Sequence, residues 1–369
     1  MTEEVPAREV REGRASILVP DVPRTKGPGR RTALPFYNPA MAVNRDVTLA
    51  VLAGWLSPGS SVLDGLAATG VFGIRVALET DRTPSITWND KNPRAHDLIV
   101  ENAQRNGVAG EVLRDDLRAV LARRTFTYVD VDPFGPPVPF VDAAIQQSWR
   151  GTALGFTATD TAPLCGTYPV TCWRRYGARS LRTPCGPETA LRIFLGYLVR
   201  VAASHERGLR VLAAFAAEHF VKAIVAVEPR ARAADACLAQ LGYVRFEGAR
   251  FATSSSPPNG PHAGPLWLGP LADAPALAAS PSRPETGFDA TRILAALRDE
   301  AVLPPFFYEN HSLAQSLRVE EPVPVSTFLD ALRAAGHRAM RTYVTANGVR
   351  TDAPWDDVAR LYVDAAKRR

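Results

Sequence analysis

The stretch SVLDGLAATGVFGIRVALETDRTPSITWND, residues 61–90, decides the fold of this chain. Its pattern predicts a buried strand over 61–64, a helix over 70–79 and a second strand over 85–90. Two strands joined through a helix lie parallel in one sheet, because the connection is long enough to return the chain to the same edge. The stretch therefore predicts the first unit of a parallel α/β sheet.

The same alternation of strand and helix continues on both sides of this stretch. A parallel sheet built in this way carries helices on both of its faces. Residues 218–226 have a mixed pattern that favours neither state. The predicted helices are 46–56, 93–106, 117–123, 139–149 and 187–204, and the predicted strands are 111–116, 126–132, 152–157 and 209–215.

Two compositional breaks divide the chain. Residues 252–265 are rich in serine, proline and glycine, and a second break spans 273–287. Beyond them, 289–299 and 325–335 have the pattern of amphipathic helices. The prediction is a first domain over 1–245, a linker region over 246–285 and a smaller α/β C-terminal domain over 286–369.

Composition limits the class of protein. The chain has 369 residues, enough for two domains, and 46% of them are hydrophobic. No apolar run is long enough to span a membrane, and the acidic, polar N-terminus differs from a secretory signal, so we expect a cytoplasmic protein. The net charge of +5 suits a polyanionic partner, as does the basic, glycine- and proline-rich loop over 24–35. An ordinary linker is the alternative for that loop.

The four cysteines contain no CxxC pair, which argues against a zinc ribbon. In the expected compartment they are reduced. We therefore predict no structural metal.

Residues 126–137, FTYVDVDPFGPP, carry the first sign of chemistry. A buried strand ends at Asp132, and Pro133, Phe134 and Gly135 form a stiff turn after it. A carboxylate beside an aromatic ring can bind an exocyclic amine on a flat base. Enzymes that methylate amino groups often carry Asp/Asn-Pro-Pro-Tyr/Phe at this point, and Asp-Pro-Phe matches that pattern loosely. A proline-rich turn that merely ends a strand is the alternative.

Acidic residues follow four successive predicted strands, at Asp64, Asp90, Asp115 or Asp116, and Asp132. The loop after the first strand lacks a dinucleotide fingerprint, and no phosphate-binding Gly-Lys-Ser/Thr occurs. S-adenosylmethionine, a cation without phosphate, suits an acidic site at the carboxyl edge of the sheet. Asp90 could accept its ribose hydroxyls and Asp116, or Asp115, its adenine amine, whereas each acid alone could equally cap a helix.

Arg45 and Arg75 could hold the carboxylate of the methionine part through bidentate contacts. Asp160 and Thr161 follow a later strand and could line the pocket or serve only as turn residues.

Several longer strings resemble one family, the tRNA (guanine(26)-N(2))-dimethyltransferases of the Trm1 type. The resemblance runs in order through nearly the whole chain and includes both predicted domains. The matching strings are REGRASILVP (11–20), FYNPAMAVNRD (36–46), LDGLAATGVFGIR (63–75), NDKNP (89–93), DVDPFG (130–135), TATDTAPLCGTYP (157–169), RRYGA (174–178), GPLWLGPL (264–271) and RTDAPW (350–355).

The resemblance implies a Rossmann-like class I methyltransferase sheet that transfers one or two methyl groups from S-adenosylmethionine to N2 of guanine 26 in tRNA. The smaller C-terminal domain would bind tRNA. The predicted cofactor site consists of Arg45, Asp64, Arg75, Asp90, Asp116 and Leu117. Asp132 is the predicted catalytic residue, with Phe36 and Phe134 flanking the guanine ring.

One feature departs from the family pattern, and two alternative functions stay open. Many members carry a four-cysteine zinc insert between the domains, but residues 244–264 contain no cysteine. Cys165 lies in a matched string and Cys172 between that string and the next, and both are read as structural. The alternatives are an amino-group methyltransferase that acts on another RNA and, from a different class, a non-catalytic RNA-binding protein.

Overall fold

The computed structural model describes residues 6–21, 34–278 and 283–368. It begins with an antiparallel hairpin of β1 (Ala7–Glu12) and β2 (Ala15–Pro20). Gly13, with φ of +55°, makes the turn between these strands. This hairpin was not predicted from the sequence.

The central sheet has seven strands in the order β5-β4-β3-β6-β7-β9-β8. The first five strands along this order are parallel, and β9 and β8 run antiparallel to their neighbours. The Rossmann-like sheet predicted from the sequence is therefore confirmed. The strands are β3 (Ser61–Asp64), β4 (Ser85–Asn89), β5 (Gly110–Leu113), β6 (Tyr128–Val131), β7 (Ala153–Ala158), β8 (Arg207–Ala217) and β9 (Phe220–Pro229).

Helices cover both faces of this sheet, as the alternation predicted. Their starts have local causes: Asn92 accepts a hydrogen bond from Arg94 N at 3.0 Å, with Pro93 next in the chain. The helices that accompany the central sheet are α1 (Ala42–Trp55), α2 (Val71–Glu79), α3 (Pro93–Arg105), α4 (Leu117–Arg123), α5 (Val138–Gln146), α6 (Thr161–Leu164), α7 (Pro169–Tyr176), α8 (Gly186–Ser204) and α9 (Ala231–Leu238).

Two glycines bring α2 close to the sheet. Gly70 precedes α2 with φ of +78°, a conformation that favours glycine. A Cβ on Gly73 would lie 2.3 Å from Nε1 of Trp88, which is fully buried on β4. The loop between β3 and α2 is thereby held against the carboxyl edge of the sheet.

The predicted linker region contains regular structure. A three-stranded antiparallel sheet, in the order β11-β10-β12, is followed by helix α10 (Ala274–Ala278). Its strands are β10 (Leu241–Glu247), β11 (Arg250–Ser254) and β12 (Ala263–Trp267). The serine, proline and glycine residues of this region mark the connection between β11 and β12. Their abundance obscured the pattern of the strands on either side. The predicted division into three segments stays a prediction.

The C-terminal part has helices α11 (Phe288–Glu300), α12 (Asn310–Leu317), α13 (Val325–Ala334) and α14 (Trp355–Lys367). A small sheet orders β13 (Tyr308–Glu309), β15 (Gly348–Thr351) and β14 (Ala339–Arg341) as β13-β15-β14. A second hydrophobic core forms here around Phe328, Leu332 and Tyr362, whereas the buried face of α11 joins the main core. Within the described residues, no helix combines the length and the apolar character needed to cross a membrane.

Candidate active site

A cavity of about 720 Å³ lies at the carboxyl edge of the parallel strands. It opens where β3 and β6 are neighbours, so that the chain leaves these two strands in opposite directions along the sheet. Ligands of such sheets bind at this crossover point. The lining includes Asp64, Asp90 and Asp132, which follow three different strands, together with residues of the segment 34–48.

Asp132 lies at the wall of the cavity, directly after β6. Asn44 Nδ2 is 3.4 Å from its Oδ2 and donates to Thr157 Oγ1 at 3.2 Å. Burial raises the pKa of Asp132 to about 6; Lys222 lowers it, Asp130 raises it, and Arg45 and a hydrogen bond from Thr157 lower it. The carboxylate therefore changes its charge close to neutral pH.

A buried lysine supports this end of the sheet. Lys222 Nζ on β9 donates to Asp130 Oδ1 at 2.7 Å and to Thr157 Oγ1 at 3.1 Å. Tyr128 donates its hydroxyl to the same Asp130 oxygen at 2.7 Å. Sequence reasoning missed Lys222, although a lysine inside the apolar run FVKAIVAV must have a buried partner.

Phe36 and Phe134, predicted to flank the guanine, both line the cavity. Their ring centroids are 4.8 Å apart and the ring planes meet at 60°. A base stacked on both faces would need the rings parallel and further apart. The two rings therefore contact each other and close this side of the cavity. A base can enter between them only if one ring turns.

Arg45 lines the cavity, and a buried acidic residue of the hairpin holds its side chain in place. Its guanidinium donates to both oxygens of Glu12 at 2.6 Å, and Tyr37 donates to Glu12 Oε2 at 2.8 Å. Burial opposes ionisation of Glu12, but Arg45 and Arg75 hold the pKa of that carboxyl down, at about 2. The hairpin that the sequence analysis missed therefore orients a predicted site residue.

Arg75 is not among the residues that line the cavity. It is 1% exposed and lies in an ion cluster with Glu12 at 2.8 Å, Asp46 at 2.7 Å and Glu79 at 2.8 Å. Its guanidinium is paired with three carboxylates. One of them, Glu12, also pairs with Arg45 and so links the two arginines. The structure does not bring Arg75 to the cavity with the other predicted residues.

Asp64 and Asp90 hold the loops beneath the cavity. Asp64 Oδ2 accepts from Gly73 N at 3.1 Å, and burial, together with Asp130, raises the pKa of Asp64 to about 8. Asp90 accepts from Ala68 N at 3.0 Å and from Asn92 N at 2.9 Å. Each carboxylate oxygen can accept a further hydrogen bond, so both acids remain available to a ligand.

Asp116 and Leu117 lie outside the cavity lining. Asp116 caps α4 by accepting from Arg118 N at 2.9 Å, which is the helix-cap alternative considered from the sequence. Hydrogen bonds from Arg118 hold the pKa of Asp116 at about 2. Leu117 packs where a Cβ on Gly65 would stand, 2.9 Å from it. Leu117 therefore contacts the loop after β3.

Asp160 and Thr161 are also outside the lining, whereas Thr159 is part of it. Asp160 accepts from the Tyr176 hydroxyl at 2.6 Å and from Arg175 Nη1 at 2.9 Å. Thr161 is the first residue of α6. Within the predicted basic loop 24–35, only residues 34–35 are described, and both line the cavity.

The acidic side chains that line the cavity fit S-adenosylmethionine better than a phosphate-bearing cofactor. Asp90 and Asp132 offer acceptors to the hydroxyls and ammonium group of S-adenosylmethionine, and the bound cation would favour ionisation of Asp64, whose pKa burial raises to about 8. In the described part of the chain, no three His, Cys, Asp or Glu side chains are placed to hold a metal ion.

This strand order, with acids after β3 and β4 and an Asp-Pro-Phe turn after β6, defines a Rossmann-like methyltransferase of class I. The chain belongs to the N2,N2-dimethylguanosine tRNA methyltransferase family, whose model matches residues 13–363.

Curated relatives and a solved structure agree with this assignment. A tRNA (guanine(26)-N(2))-dimethyltransferase of Methanospirillum hungatei is 38% identical, over 95% of this chain and 97% of the relative. One from Pyrococcus abyssi is 37% identical, over 94% and 96%. The structure of Trm1 from Pyrococcus horikoshii with S-adenosyl-L-methionine superimposes with a TM-score of 0.83 at 33% identity, covering 97% of this chain and 99% of that one.

Proposed function

We propose that this protein transfers one and then a second methyl group from S-adenosylmethionine to N2 of guanine 26 in tRNA. The observation that carries the proposal is Asp132 on the wall of an acid-lined cavity that also contains Phe36 and Phe134. Membership of the family supplies the substrate and the position of the base.

Asp132 acts on the amino group. The guanine N2 lone pair is delocalised into the ring, so an unaided amine is a poor nucleophile. Asp132 accepts a hydrogen bond from N2, aims the lone pair and takes up the proton that leaves. Thr157, which itself accepts from Asn44 and Lys222, fixes the carboxylate for this task.

Asn44 supports Asp132 from α1. Its Nδ2 faces the carboxylate of Asp132 at 3.4 Å and donates to Thr157 Oγ1 at 3.2 Å. Asn44 therefore helps to keep the Asp132 carboxylate at the cavity wall, where it can meet the amine of the base.

The base reaches the cavity by extrusion from the tRNA, because a stacked base cannot approach a pocket at a sheet edge. Phe36 and Phe134 then separate and stack on its faces. Stacking on an aromatic side chain contributes about 1–3 kcal/mol per base.

The cofactor supplies an electrophilic methyl group when it is bound. Asp90 would accept hydrogen bonds from its ribose hydroxyls, and Asp64 and Arg45 would hold the ammonium and the carboxylate of its methionine part. Arg75 would contribute to this site through Glu12, which it shares with Arg45, whereas Leu117 and Asp116 or Asp115, from outside the present lining, would meet the adenine part and its amine. No metal is assigned a role, and with tRNA as substrate we place the protein in the cytoplasm.

The proposal is tested by nucleoside mass spectrometry after incubation with S-adenosylmethionine. A tRNA transcript with guanine at position 26 should yield N2-methyl- and N2,N2-dimethylguanosine. The matched transcript with adenine at that position should yield neither. Ribosomal RNA forms the third arm, and methylation there alone would replace this proposal by the amino-methyltransferase of another RNA. If the protein neither methylates RNA nor binds the cofactor in calorimetry, the alternative of a non-catalytic RNA-binding protein is favoured.

A further inference from the structure

The connection between β7 and α8, residues 159–185, has no task in the chemistry described so far. Its only acidic residue is Asp160, and it carries four arginines, Arg174, Arg175, Arg179 and Arg182. All four side chains are exposed. Asp160 pairs with Arg175, and the other three arginines give this surface a local positive potential, which attracts phosphate groups.

Helix α7 within this connection has two distinct faces. Cys172 and Tyr176, one turn apart, are buried against the core. Val170, Trp173 and Arg174 lie three and four positions apart and are exposed, Trp173 by 56%. An exposed tryptophan beside an arginine offers a stacking surface and a cation together, a combination typical of contacts with unpaired nucleotides.

The connection starts at the rim of the cavity. Thr159, which lines the cavity, pairs with the turn after Asp132: Gly135 N donates to Thr159 Oγ1 at 2.8 Å, and Thr159 N donates to Gly135 O at 3.1 Å. The next residue, Asp160, fixes the far end of α7 through Arg175 and Tyr176. Asp160 therefore fixes the carboxyl end of α7 one residue along the chain from the lining of the cavity that would receive the base.

We propose that residues 167–182, here named the arginine arm, bind the tRNA backbone next to the extruded guanine. Trp173 stacks on a neighbouring nucleotide, and Arg174, Arg179 and Arg182 contact phosphates. The inference rests on the proposed function, since it takes the guanine to enter the cavity beside the arm. A flipped base needs such a site, because the strand on either side of it is left unstacked.

The test compares two matched double variants of the full-length protein. Trp173→Ala with Arg174→Ala removes part of the arm and leaves the Asp160–Arg175 contact in place. Trp149→Ala with Arg150→Ala is the control, because these residues are also exposed but precede β7, at the opposite edge of the sheet. Binding of unmodified tRNA without cofactor is measured over a series of salt concentrations, and S-adenosylmethionine binding is measured by calorimetry.

The arm variant should bind tRNA about 10-fold more weakly than wild type, with the slope of log affinity against log salt reduced by about 1. Its affinity for S-adenosylmethionine should equal that of wild type, and the control variant should match wild type in both assays. Equal tRNA affinity of the arm variant and the control would overturn the inference. Because tRNA binding is measured without turnover, failure of wild type to methylate guanine 26 would count against the proposed function alone.

Discussion

At the residue scale, the proposed chemistry depends on how the surroundings of Asp132 set its charge. Asp130 and burial favour its neutral form, while Lys222 and the Thr157 hydroxyl favour the carboxylate. Only the carboxylate can accept a proton from the guanine amine. The network behind the site therefore decides at which pH the residue can act.

Replacing Asp132 should separate catalysis from binding. We expect Asp132→Ala to lower the single-turnover rate of methyl transfer at least ~100-fold, the usual contribution of a general base. The affinity for tRNA should change little, because the arm and the aromatic rings are intact. Rapid-quench kinetics and filter binding measure the two effects, with Asp132→Asn as a variant of equal size. Parallel loss of binding and rate would contradict a catalytic Asp132.

The raised pKa of Asp132, about 6, predicts a pH profile. Below that pH the residue is protonated and cannot accept the amine proton, so kcat/KM should fall about 10-fold per pH unit. Above it kcat/KM should level off. Steady-state assays between pH 5 and 8 check this behaviour, and the residual activity of Asp132→Asn should lack the inflection. An inflection that persists in that variant would assign it to another group.

At the element scale, the predicted strands and helices of the central sheet lie within a few residues of those observed. Their patterns are local: a buried parallel strand is an apolar run, and a helix repeats its apolar face every three to four residues. Strands β10 and β11 escaped prediction because their stability comes from pairing with each other and with β12. The hairpin β1–β2 escaped for the same reason.

Helix α2 provides a test of packing against the sheet. In Gly73→Ala the new methyl group would meet Trp88 Nε1 at 2.3 Å, inside a fully buried contact. Overpacking of this kind costs about 1–3 kcal/mol in the free energy of unfolding. Gly186→Ala is the control, since nothing lies within 4 Å of its added methyl group. Urea denaturation compares them, and equal stability of the two variants would refute the close approach.

At the scale of the whole molecule, a buried ion cluster joins the C-terminal part to the central domain. Arg350 on β15 contacts Glu188 on α8 at 2.6 Å and Glu300 on α11 at 2.9 Å. Glu188 also accepts from Arg192 at 2.8 Å and from Phe306 N at 2.8 Å. Arg350, the first residue of the string RTDAPW, therefore links the two parts of the fold.

Removal of Arg350 should destabilise the protein strongly. Arg350→Ala leaves Glu188 and Glu300 buried with fewer partners, and breaking such a pair costs about 3–5 kcal/mol. Arg360→Ala removes an exposed partner of Asp357 and should leave the stability almost unchanged, because solvent screens this pair. Urea unfolding followed by circular dichroism compares the two variants. A small effect of Arg350→Ala would mean that the cluster does not hold the parts together.

The sequence by itself determined the parallel sheet, the family and the residues that follow its strands, because these depend on local pattern and on motif order. Asp132, Phe36, Phe134, Arg45, Asp64 and Asp90 accordingly meet at one cavity. Only the tertiary structure decided which groups act behind them. Lys222, Glu12 and Asn44 come from distant strands and helices, and their partners are chosen by packing across the sheet. The same packing directs Arg75 to a buried ion cluster and Asp116 to a helix cap.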